Sequence, residues 1–209
     1  MCPQSESPST SLRANNEFSP TERSLLIELA HQSILSRLEG VKISSSMPTA
    51  HLAEPRGVFT TVCVAGNLRG CVGSVYPTNS LYESVIETAR SAAFDDPRFP
   101  PITREEVANI EILLSVLSPL FPIDPQEIEV GRHGLLIAYD EFRGLLLPQV
   151  ATEHGWNRIT FLEHTCRKAG LPPDAWQTGA TVAAFTAEVF GDRDARKMGE
   201  ASPSPNVTS

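Results

Sequence analysis

Leu68-Arg69-Gly70-Cys71-Val72-Gly73-Ser74 is the stretch on which the reading of this 209-residue chain turns. It follows a β-branched, apolar run at 58–65 and a Gly66-Asn67 pair, so the two runs read as the arms of a hairpin over 58–65 and 68–75. With Gly66 and Asn67 as the turn residues, Val62 falls opposite Cys71 and Cys63 opposite Gly70. Side chains alternate along a strand, so one face carries Phe59, Cys63, Leu68 and Val72 as core, and the other carries Arg69, Cys71 and Gly73. Glycine weakens a strand, and two within four residues ask for a reason. Gly70 and Gly73 let either a substrate or another stretch of backbone come close. A guanidinium on the face of Cys71 favours its thiolate, which makes the cysteine a candidate nucleophile. The competing reading is a bulge or a crowded strand crossing with Cys71 as filler.

Working outward, the same grammar recurs. Before the hairpin, Ser19, Pro20 and Glu22 spell a capped helix start, Leu26, Ala30, Ile34 and Leu38 form its apolar stripe, and Gly40 ends it. After it, Ser80 and Glu83 open a second helix carrying Leu81, Val85, Ala89 and Ala93, which the proline-rich run at 95–101 stops. Thr103 with Glu106 caps a short turn, and 110–117 reads as a strand buried on both faces. A second hairpin follows over 135–139 and 143–147, then a helix over 157–169 and a closing strand over 181–190. Phe142-Arg143-Gly144-Leu145 echoes Leu68-Arg69-Gly70-Cys71. The expected fold is α+β: duplicated strand-strand-helix-strand halves, intertwined around one mixed or antiparallel sheet, with an N-terminal helix. Leu145 stands where the first copy has Cys71, so one copy keeps a reactive group where the other keeps packing.

Composition bounds the function classes. The formal charge is −8, with 41% apolar and 20% charged residues and no run of Lys or Arg. That points away from nucleic acid and from anionic membrane surfaces. No stretch approaches the roughly 20 apolar residues that span a bilayer, and residues 1–16 lack the apolar core of a signal peptide. Four cysteines without a CxxC pair fit reduced thiols and a cytoplasmic setting. The polar ends, 1–17 and 193–209, read as disordered tails around a domain of 18–192. No phosphate-binding loop or dinucleotide fingerprint appears, and His154, Trp156, His164 and Trp176 lack ligand spacing, so no metal or cofactor is expected.

The stretch at 68–74 resembles the LRGCIG(T/S) hallmark of the AMMECR domain family, with Val72 in place of the usual isoleucine and Ser74 in place of the commoner threonine. The likeness continues through Asp96-Pro97-Arg98-Phe99-Pro100-Pro101, Gly131-Arg132-His133-Gly134-Leu135 and Leu147-Pro148-Gln149-Val150-Ala151. It implies an α+β fold of two intertwined halves with the cysteine motif in a cleft. It fixes no activity. Relatives encoded beside a Memo-type protein and a radical SAM protein imply a shared pathway and those two partners.

Two function classes follow. In the first, an enzyme or enzyme component uses Cys71 as nucleophile or covalent carrier. Arg69 then lowers the thiol pKa, His133 shuttles protons, and Arg98, with Gly70, Gly73 and Ser74, positions a small anionic substrate. In the second, a non-catalytic adaptor holds a partner segment or a small anionic ligand in the same cleft. Each candidate has a structural alternative: a turn histidine bonded to local backbone for His133, a loop-pinning pair with Asp95 or Asp96 for Arg98, and a salt bridge for Arg69. Glu188 could orient His133, although a solvated strand face suits it better. Asp192 reads as solvated charge.

Overall fold

A computed structural model describes residues 17–40, 43, 49–76 and 79–192 of the chain. The expected tails at 1–17 and 193–209 lie outside the described residues except for Glu17, whose carboxylate accepts from Arg56 Nη2 at 2.6 Å. The described residues form two compact units, one built on those between 17 and 116 together with 189–192, the other on Leu117–Glu188.

In the first unit, helix α1 spans Pro20–Glu39 and starts where the sequence says it should. The Ser19 side chain accepts from the Glu22 amide while the Glu22 carboxylate accepts from the Ser19 amide, and Gly40 closes the helix in the left-handed conformation at φ 71°. Helix α2, Leu81–Phe94, has the same reciprocal cap from Ser80 and Glu83, and α3, Arg104–Val107, has it from Thr103 and Glu106. Strands β1 (Val58–Val64), β2 (Asn67–Ser74) and β3 (Ile110–Leu117) form an antiparallel set with β1 in the middle. Strand β8 (Ala187–Gly191) flanks β3, giving the order β2-β1-β3-β8. Helix α2 packs on β1 and β2, and α1 packs on α2. The core between them includes Leu26, Ile34, Val58, Val62, Leu81, Val85, Ile112 and Leu114. Strand β3 is fully buried on this side, through Ile110, Ile112, Leu114 and Val116; on the other, Leu117 is buried while Glu111, Leu113 and Ser115 are half-buried. Burial on both faces is therefore met in part, complete on the first face and incomplete on the second.

The second unit repeats the plan. Strands β5 (Gly134–Tyr139), β6 (Phe142–Leu146) and β7 (Thr181–Phe185) pair with β5 in the middle, and β4 (Phe121–Pro122) flanks β7 in the order β4-β7-β5-β6. A short helix α4, Pro148–Glu153, precedes α5, Arg158–Lys168, which Asn157 caps and which covers β5 and β6. Each unit is thus hairpin, helix, third strand. The third strand returns beside the first, so the duplication is borne out in topology. The α+β class is borne out too, but the strands occupy two four-stranded sheets rather than one.

The intertwining lies in the fourth strands. The chain leaves the first sheet after β3 and supplies β4 to the second; it leaves the second after β7 and supplies β8 to the first. The single closing strand expected over 181–190 is therefore two strands that break at Thr186, whose amide donates to the Ser118 hydroxyl at 3.0 Å and whose carbonyl accepts from the Ser118 amide at 2.9 Å.

Candidate functional site

The site starts with the register of the first hairpin. The turn residues are Ala65 and Gly66, both at positive φ (49° and 76°), between the paired Val64 and Asn67. Two successive left-handed residues match the twist of the strands they join. The register then shifts between Val62 and Cys63: Cys63 faces Leu68, Val62 faces Gly70, and Arg69 is the extra residue of the bulge. Cys71 consequently lies opposite Thr61, not Val62. The core face is that of Val58, Thr60, Val62, Gly70 and Val72, toward α2, where the Thr60 and Thr88 hydroxyls meet at 2.7 Å. Phe59, Thr61 and Cys63 share the other face with Cys71. The assignment of Phe59 and Cys63 to the face opposite Cys71 is overturned, because a one-residue slip exchanges every side chain between faces.

The glycines now have a physical reason. A Cβ on Gly70 would lie 1.8 Å from the Ala92 carbonyl oxygen of α2. One on Gly144 would lie 2.2 Å from the Ala169 amide just past α5. The repeated Arg-Gly pair is the point in each unit where a helix end presses on the second strand. A Cβ on Gly73 would meet the Val58 carbonyl oxygen at 2.3 Å and Phe59 Cα at 2.5 Å. At all three positions the space beside the glycine is taken by the protein's own backbone. At the register position where the first unit pairs Thr61 with Cys71, the second pairs Leu136 with Leu145.

Cys71 is half-buried and carries a free thiol. The Thr61 hydroxyl donates to its sulfur at 3.3 Å. Strand β2 is a sheet edge, and the outward-facing peptide groups of Cys71 are closed by the turn that follows α2. The Cys71 amide donates to Asp96 Oδ2 at 2.9 Å, and Arg98 Nη2 donates to the Cys71 carbonyl at 3.1 Å. Arg98 also grips Asp96 through Nε (2.9 Å), Nη2 (2.7 Å) and its own amide (3.1 Å). The Asp96 side chain is only 3% exposed, whereas that of Arg98 is 57% exposed. Hydrogen bonds from Arg98, joined by the Cys71 amide, hold the Asp96 carboxyl well below the usual carboxylate range against the opposing effect of burial. The Arg98 guanidinium is pushed up, chiefly by Asp96, with the Cys71 thiol adding in the same direction.

Arg69 does something else. Its guanidinium forms a two-pronged pair with Glu106 (Nε–Oε1 3.0 Å, Nη2–Oε2 2.9 Å) and donates to the Pro100 carbonyl at 3.2 Å. That fork pushes the Glu106 carboxyl down. The cation that bonds to Cys71 is Arg98, through the backbone carbonyl, 27 residues on in sequence. Ser74 accepts from the Tyr76 amide and donates to its carbonyl, closing the strand end. Cys63 is fully buried; Cys166 is free, and burial pushes its thiol up.

His133 belongs to the second unit. Its Nδ1 accepts from the Glu129 amide at 3.1 Å and its own amide donates to the Glu129 carbonyl, so it is a turn histidine tied to local backbone. Burial lowers its pKa and keeps the ring neutral, with Phe121 edge-on at 5.9 Å between ring centres. Its Nε2 has no hydrogen-bond partner among the described residues. Glu188 is buried rather than solvated, and Asp192 is not loose charge: it accepts from the Ile112 amide at 2.7 Å and meets His31 Nε2 at 3.0 Å. Sequence reasoning missed Thr61, hidden by the bulge, and gave Asp96 no role at Cys71, since contact across 25 residues leaves no local signal.

The AMMECR1 family profile matches residues 27–190. A protein of Methanopyrus kandleri is 44% identical over 185 residues, covering 83% of this chain and 89% of that one. One of Methanosarcina acetivorans is 39% identical over 186 residues, covering 83% and 93%. The crystal structure of an uncharacterized protein from Pyrococcus horikoshii is similar at a TM-score of 0.68 and 41% identity, covering 80% of this chain and 89% of that one.

Proposed function

We propose a function on the premise that this chain belongs to the AMMECR1 family: it is an enzyme, or enzyme component, in which Cys71 is the nucleophile or covalent carrier. One observation carries the reading. A half-exposed thiol on a rigid sheet edge receives a hydroxyl hydrogen bond from Thr61 and lies beside an exposed guanidinium, Arg98, that is locked in place by a buried carboxylate. A cysteine thiol with a polar donor on its sulfur, a cation close by and access to solvent has the surroundings of a nucleophile. Arg98, rather than Arg69, then supplies the positive charge and meets a small anionic substrate.

The resemblance of the motifs adds a cytoplasmic pathway shared with Memo-type and radical SAM proteins as partners. No helix among the described residues is long and apolar enough to cross a membrane. A second reading draws on the same exposed Arg98: a non-catalytic adaptor that holds a small anionic ligand or a partner's acidic segment. Incubation with extract metabolites, followed by peptide mass spectrometry, separates the two. The enzyme reading expects a covalent adduct on Cys71, lost in Cys71→Ser. Anion binding that survives Cys71→Ser, with no adduct on the wild-type protein, favours the adaptor.

A further inference from the structure

Nucleophilic attack on an acyl carbon builds negative charge on the former carbonyl oxygen, and the nucleophile's own backbone N–H commonly helps to hold it. At Cys71 that donor is spent. Its N–H points out of the β2 edge into the Asp96 carboxylate at 2.9 Å. Asp96 is buried and held ionised by Arg98, so the place where an oxyanion would settle faces an anion. Opposite in character is the outer side of Arg98. Its Nε and Nη2 are used on Asp96 and on the Cys71 carbonyl, while Nη1 makes no hydrogen bond within the described residues and the side chain is open to solvent. A planar guanidinium with a free edge suits a carboxylate or phosphate.

We infer that Cys71 acts by displacement at a saturated carbon, not by acyl transfer, on an electrophile whose carboxylate or phosphate group is met by Arg98. This rests on Cys71 being the nucleophile and adds the class of its substrate. The thiolate sulfur forms an S–C bond as the bond from that carbon to its leaving group breaks. The electron pair departs with the leaving group, and the thiol proton passes to solvent. The step needs no oxidant or reductant. Asp96 is a positioning residue here: it fixes the guanidinium next to the sulfur and never touches substrate.

The test compares iodoacetate with iodoacetamide, which share a carbon centre and a leaving group and differ in charge. Labelling of Cys71 in the full-length protein is followed by peptide mass spectrometry, with the same chain in urea as reference. The ratio of the iodoacetate rate to the iodoacetamide rate should rise about tenfold on folding, the effect of one charge roughly 3 Å away in a water-like dielectric. Inorganic phosphate and added salt should reduce it, and Arg98→Gln should return it to the unfolded value. A parallel arm uses p-nitrophenyl acetate, which should acetylate Cys71 no faster in the folded than in the unfolded chain. An unchanged ratio, or accelerated acetylation, overturns the inference while leaving Cys71 a nucleophile if iodoacetamide labelling is fast. Should neither haloacetyl reagent label Cys71 faster in the folded chain, the nucleophile reading and the inference fall together. If Arg98→Gln does not fold, the phosphate competition on the unaltered protein still decides the matter.

Discussion

Replacing Gly70 with alanine tests whether that glycine serves the packing of α2 or the approach of a ligand. The added methyl carbon would stand 1.8 Å from the Ala92 carbonyl oxygen, 2.8 Å from its carbonyl carbon and 3.3 Å from its Cα. All three are backbone atoms, so no side-chain rotation relieves the clash. Ordinary contact starts at 3.4 Å, so the C-terminal turns of α2 would have to lift by roughly 1.5 Å. That would loosen Ala89, Ala92 and Ala93, all buried in the core, for a cost at or above the upper end of the about 1–3 kcal/mol typical of overpacking. In a chain of this size each kcal/mol lowers Tm by roughly 2–4 °C, so Gly70→Ala should melt about 6–12 °C below the parent by circular dichroism. Gly144→Ala, whose Cβ would stand 2.2 Å from the Ala169 amide nitrogen, should behave alike. Gly66→Ala is the control. Nothing lies within 4 Å of its Cβ, and only the left-handed φ of 76° opposes it, for about 1–2 kcal/mol. A Gly70→Ala protein that melts no lower than Gly66→Ala would refute the packing argument and return Gly70 to the ligand.

Other outcomes follow from the same contacts. Iodoacetamide at pH 8 should modify Cys71 well before Cys166, whose thiol is buried and pushed up; equal rates would remove the basis for a reactive Cys71. Arg69→Gln should cost about 1–2 kcal/mol of stability, through loss of a partly exposed two-pronged pair with Glu106, yet leave Cys71 labelling unchanged. Slower labelling would restore Arg69 to the role first expected of it. Asp96 and Glu106 both titrate below their ordinary range when folded, so their stabilisation is present above about pH 4 and is lost as pH falls further. Thermal melts between pH 2.5 and 6 should decline on the acid side less steeply in Asp96→Asn; an identical slope would show that Asp96 is not held ionised as described. The lowered pKa of His133 has the reverse origin, since the unfolded chain takes up the proton more readily. Stability should therefore fall as pH drops below about 6.5, and His133→Gln should flatten that portion of the curve.

What the sequence determined by itself was set by interactions a few residues long. Ser19 with Glu22, Ser80 with Glu83 and Thr103 with Glu106 announce their helices because cap and partner lie within one turn. The stripe of Leu26, Ala30 and Ile34 follows from helical periodicity, and the echo of Arg69-Gly70 in Arg143-Gly144 reveals the duplication, since a helix end can press on a strand only where a side chain is missing. The family resemblance, carried by contiguous motifs, is legible for the same reason. Tertiary structure alone decided the rest. Turn placement and a single bulged residue exchanged the two faces of the hairpin and set Thr61, not Val62, against Cys71. The break at Thr186 sent β7 and β8 to different sheets, a choice made by strand partners distant in sequence. Which cation meets Cys71 was likewise undecidable from spacing: Arg69, two residues away, is claimed by Glu106, and Arg98, 27 residues away, is brought to its carbonyl by the turn that ends α2. A guanidinium goes to the carboxylate that folding brings within reach, and proximity along the chain does not fix which one that is.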